Sequence, residues 1–157
     1  MANAERQAMR GRLTLVLRDV HGREVDRREV DNLITDAGRA FVARYFGGIL
    51  QGSPRLFIAV GTGKTAGAPV TNKPAPTDTA LSNQVDRAEA TVSAKGFVTT
   101  VTATLPATGS GVVQSLEEAG IQIELSGQSA VLYNRVTFEV VNKSPNMGMT
   151  LSWEVTF

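Results

Sequence analysis

From Met149 to Phe157 the chain alternates without a fault: Met149, Leu151, Trp153, Val155 and Phe157 point one way, and Thr150, Ser152, Glu154 and Thr156 the other. That two-residue period belongs to a β-strand with one dry and one wet face. The pattern sends the terminal aromatic inward, so the run is expected to be a core strand, with the rest of the chain arranged around its sheet.

Three hairpins are expected. Ala130 to Val141 places Val136, Phe138 and Val140 against Arg135, Thr137 and Glu139, and the turn-rich Asn142 to Gly148 offers to join it to the last strand. Glu89 to Ala94 and Phe97 to Leu105 flank Lys95-Gly96, and their threonines favour strand over helix. Arg12 to Arg18, with Leu13, Leu15 and Leu17 on one face, turns at Asp19-Val20-His21-Gly22 into Arg23 to Val30.

One helix is expected between these strands. Thr35 is its N-cap, Asp36 sits where the helix dipole favours an anion, Phe41, Val42, Tyr45 and Phe46 form an apolar stripe, and Gly47-Gly48 ends it. So short a helix needs a sheet to dock on. Leu56 to Val60 is continuously apolar and reads as a buried strand, whereas Gly61 to Pro76 is rich in Gly, Pro, Thr and Ala and reads as a long loop. After the Gly/Ser-rich Ala107 to Gly111, the stretch Val112 to Leu125 is expected to hold a short polar turn at Glu117-Glu118 and an apolar run from Ile121. The fold class is therefore mainly β: an antiparallel β-sandwich or jelly roll with one short α-helix at about 36–46. The expected organisation is an N-terminal arm at 1–11 and a single sandwich domain at 12–157, with the long loop at about 61–80.

With 157 residues, 42% of them hydrophobic, the chain can bury a sizeable core without a second domain. The absence of cysteine excludes disulfides and thiolate metal sites, and no apolar run approaches a bilayer span. The polar, charged start is unlike a secretory signal, so a cytosolic or assembly-borne protein is expected, with no membrane partner. The net charge of +1 divides into ten Lys/Arg against seven Asp/Glu over residues 1–55 and six against eight over 56–157. That is too weak an imbalance for a direct nucleic-acid binder.

Motifs for chemistry fail one by one. Gly61-Thr62-Gly63-Lys64-Thr65 resembles the end of a phosphate loop, but the position five before Gly63 is Ile58, and Gly67 and Pro69 interrupt any following helix. Gly127-Gln128-Ser129-Ala130-Val131 lacks the last glycine of a nucleophile elbow and reads as a hairpin turn. His21, the sole histidine, lies in a turn and reads as exposed. Glu117 and Glu118 are sequence neighbours rather than converging acids, and Asp78, Asp86 and Glu89 fit no calcium-loop spacing, so solvated charges are expected. The reading is a non-enzymatic chain with no catalytic residue, no cofactor and no metal, acting through its surfaces.

Several segments, taken in order, carry a resemblance. Asn32-Leu33-Ile34-Thr35-Asp36-Ala37-Gly38-Arg39 and the aromatic helix precede Phe57-Ile58-Ala59-Val60-Gly61-Thr62-Gly63, then Thr77-Asp78-Thr79-Ala80-Leu81 and Arg87. Glu118-Ala119-Gly120-Ile121, Arg135-Val136-Thr137-Phe138 and the closing Leu151-Ser152-Trp153-Glu154-Val155-Thr156-Phe157 continue the layout. Over about residues 30–157 the chain resembles small structural proteins of tailed bacteriophages. Where that family often carries a glutamate soon after the leucine of the Thr-Asp-Thr segment, this chain has Asn83-Gln84.

The resemblance implies a virion component that forms homo-oligomers and binds the major capsid protein or other virion proteins. The leading expectation is a capsid decoration or cement protein. A tail, baseplate or fibre-adaptor protein is the alternative, and a carbohydrate-binding β-sandwich the second alternative. Partner contacts are expected at Arg6, Arg10 and Arg12 of the arm and at Thr62, Lys64 and Asn72 of the long loop.

Overall fold

A computed structural model describes residues 9–62 and 73–157. It is a β-sandwich of two antiparallel sheets with one helix. The first sheet runs β2 (Glu24–Asp31), β1 (Arg10–Arg18), β11 (Gly148–Thr156), β7 (Val98–Leu105), β6 (Thr91–Lys95). The second runs β3 (Leu33–Ile34), β10 (Asn134–Lys143), β8 (Gln114–Glu124), β4 (Arg55–Gly61), β5 (Gln84–Glu89), with β9 (Val131–Leu132) also paired to β8.

The last strand lies at the centre of the first sheet, between β1 and β7. Met149, Leu151 and Trp153 are wholly buried, and Leu13 and Leu15 of β1 and Val101 and Leu105 of β7 pack in the same core. Phe157 departs from the pattern. It lies one residue beyond β11, is 48% exposed, and donates its N–H to the Phe97 carbonyl.

Two of the three hairpins form: β1–β2 through Asp19–Gly22 as expected, and β6–β7 through Gly96-Phe97, one residue later than expected and with Glu89 in β5 of the other sheet. The terminal hairpin does not. β10 and β11 are consecutive yet lie in opposite sheets, because the Ser144–Met147 turn carries the chain across the sandwich. That turn is held from outside: the Pro145 carbonyl accepts N–H bonds from Thr108 and Gly109, and Lys143 donates to the Pro106 carbonyl. Both edges of β11 are already taken by β1 and β7, so alternation specified a strand but not its neighbour.

β10 also breaks its own alternation. Its register against β8 shifts between Thr137 and Val141, a bulge that turns Val141 into the core and leaves Val140 43% exposed. The helix α1 (Asp36–Phe46) follows the sequence reading, with Thr35 as N-cap accepting the Gly38 N–H and Gly47 closing the C-terminus. Gly38 is required there, since a Cβ would lie 2.4 Å from the Tyr133 carbonyl.

Candidate functional site

The second sheet is covered on its inner face by the main core and over part of its outer face by a loop segment. Leu56, Ile58 and Val60 of β4 face the main core, while Ala59 packs on the far side with Leu132 and Leu81 in a smaller cluster. Leu81 belongs to the covering segment 73–83, which lies over β4, β8 and β10 and ends the long loop. Double coverage is why β4 is continuously apolar.

Beneath that cover sits a buried ionic cluster. Glu118, on β8, is fully buried; it was expected to be a solvated charge in a polar turn, but it stands inside an eleven-residue strand. Strict alternation lapses beside it, since Leu116 and Ala119, three residues apart, are both in the core. The Glu118 carboxylate accepts from Arg135 Nε at 3.1 Å, from the Ser82 amide at 2.8 Å and from the Asn83 amide at 2.9 Å.

Arg135, on β10, is also fully buried, and bonds Asp78 Oδ2 at 3.1 Å and Ser82 Oγ at 3.0 Å. Asp78 is the second acid expected in solvent and found engaged; its carboxylate also accepts the Ala75 amide. Burying charge is costly, and here the cost is offset by pairing together with hydrogen bonds that use both carboxylate oxygens of Glu118. Gly61 makes room: a Cβ there would meet Glu118 Oε2 at 2.5 Å and the Asn83 carbonyl at 2.6 Å.

The helix entry joins the same region. Thr35 Oγ donates to the Leu132 carbonyl at 2.6 Å while accepting the Gly38 amide, and the Asp36 amide donates to the Pro76 carbonyl. Deeper, Asn32 Oδ1 accepts from Trp153 Nε1 at 2.6 Å and from Asn134 Nδ2, whose own Oδ1 takes the Ile121 amide. Trp153 of the first sheet is thereby tied to β8 and β10 of the second. Burial without a charged neighbour pushes the Tyr133 phenol up to about 12.

Beyond the cover, the outer face of the second sheet is wet. The Phe57 ring lies under the Arg87 guanidinium, 4.0 Å from its centroid, with Arg55 at 5.1 Å. Arg87 pairs with Glu124 and Arg55 with Glu89, whose carboxyl is held below its ordinary value by that bond. His21 is exposed in its turn, and Gln128 closes a turn onto Leu125. Among the described residues no group of three or more His, Asp or Glu is arranged to hold a metal, and no helix is long and apolar enough to cross a membrane.

The expected contact residues are scattered. Arg6, Lys64 and Asn72 lie outside the described residues. Arg10 is exposed but opens β1 opposite Thr156, so strand structure starts inside the expected arm. Arg12 is also in β1, where Glu29 and Asp31 each lie 3.1 Å away and raise its pKa. Thr62 is half-buried, its amide on the Asn83 carbonyl and its hydroxyl accepting from Asn83 Nδ2. Sequence reasoning missed Glu118, Arg135 and Ser82.

Large apolar side chains stand in solvent at the end of α1 and in several turns: Phe46 is 93% exposed, Ile49 70%, Val112 84% and Phe97 71%. No family model, no curated protein and no solved structure matches the chain.

Proposed function

We propose that this chain is a non-enzymatic structural component of a tailed-phage virion, a capsid decoration or cement protein that binds the shell and copies of itself. The observation that carries the reading is the pairing of a doubly tied sandwich with apolar loop residues left in solvent. Phe46 and Ile49 project from the end of α1, and Val112 from the turn before β8. Exposed apolar side chains on a fixed frame suit docking against another protein.

The resemblance to phage structural proteins gains physical coherence from the fold. Its separate segments meet: Thr35, Asp78, Leu81, Glu118 and Arg135 belong to one covered region, and Asn32 bonds Trp153. A carbohydrate platform has less support, because Trp153 is wholly buried with its N–H engaged. In a cryo-EM map of the source particle, density over the local threefold or twofold axes of the capsid supports the decoration reading. Density confined below the portal vertex excludes it in favour of a tail position.

A further inference from the structure

Among the described residues, the two edges of the first sheet pair with no further strand, and they are unlike. β2 carries Glu24, Asp26, Arg27, Arg28, Glu29 and Asp31 in ion pairs, and Arg28 reaches across to the Glu139 carbonyl of β10. Such an edge is guarded against pairing with another strand. β6, at the other edge, is exposed at all five residues, and its single charge, Lys95, is at the turn. Val92 is 49% exposed there.

The turn decides which backbone groups of β6 are open. Gly96 has φ 60 and Phe97 has negative φ, the signature of a two-residue type II′ loop. Its closing bond joins Lys95 and Val98, and antiparallel ladders alternate from there. Thr91, Ser93 and Lys95 therefore turn their backbone groups to β7, while Val92 and Ala94 turn theirs to the open edge.

We propose that β6 is a self-association edge: two copies pair their β6 strands antiparallel about a twofold axis at Ser93. In that register Val92 of each copy faces Ala94 of the other, and both pairs exchange their open N–H and C=O groups. Ser93 faces Ser93, and Lys95 faces Thr91, so no like charges meet. The two five-stranded sheets become continuous across the joint, and Val92 is shielded. Five residues bury less than the roughly 1,000 Å² of a stable interface, so the contact is weak alone and gains strength where symmetry repeats it. The inference rests on the assembly reading above, for which it names the contact between copies.

Sedimentation equilibrium of the full chain, over a concentration series reaching near-millimolar, is expected to show a reversible dimer. Ser93→Lys and Ser93→Glu each place like charges face to face and are expected to weaken it at least about tenfold. An equimolar mixture of the two variants restores it. Circular dichroism establishes that both variants stay folded, their side chains being on an exposed edge. A wild-type monomer at every concentration, a lysine variant that dimerises like wild type, or a mixture that stays monomeric overturns the proposal. Failure here with density still seen on the capsid sinks only the edge pairing; dimers without particle density sink only the virion reading.

Discussion

In the first sheet the strands alternate between core and water, so Leu13, Val101 and Trp153 are buried while Thr104 and Glu154 on the other face are exposed. In the second sheet the outer face is roofed by residues 73–83, and the positions that alternation assigns to water hold Ala59, Glu118 and Arg135 instead. The same architecture thus uses two different means of closure. The first sheet buries an apolar face and keeps its ion pairs in solvent, and the second adds buried ion pairs and amide-to-carboxylate bonds that fasten a loop. A polar residue on an outer face is therefore inexpensive to change in one sheet and costly in the other.

The largest expected effect breaks the roof. Arg135→Ala leaves Glu118 buried and unpaired, and is expected to cost about 3–5 kcal/mol in chemical denaturation. Second is a pH effect at the inner margin of the second sheet. The folded Tyr133 phenol lies at about 12 against an ordinary 10.0, so its contribution is full below pH 10 and is lost as pH rises through the folded value. Two units correspond to on the order of 2–3 kcal/mol, and Tyr133→Phe is expected to flatten the stability profile across that window.

A smaller loss, about 1 kcal/mol, is expected from Thr35→Ala, which removes the helix cap and its anchor on the Leu132 carbonyl. The smallest tests the contrast from the other side. Thr104→Ala on the wet face of the first sheet is expected to change stability by no more than about 0.5 kcal/mol in the same denaturation assay. A cost near that of Arg135→Ala would erase the distinction between the sheets.

Legibility follows the same division. β1, β7 and β11 were readable because one wet face imposes a period of two, and α1 because Thr35, Asp36 and Gly47 mark its ends by local chemistry. The terminal hairpin misled because pairing across a sandwich is set by which edges are free, which nearby residues do not encode. β8 and β10 misled because the roof comes from residues 73–83, far away in sequence, and a charge meeting its partner over that distance looks solvated in a one-dimensional reading. The neighbours of Arg12 were equally hidden in the sequence, since β2 brings Glu29 and Asp31 beside it only in the fold.

Hydrogen exchange at the Ser82 and Asn83 amides, compared between wild type and Glu118→Ala, tests most directly whether this carboxylate fastens the roof, since both amides donate to it. The account predicts fast exchange at these two amides in the variant while β1, β7 and β11 keep their protection. Unchanged protection at Ser82 and Asn83 would contradict it.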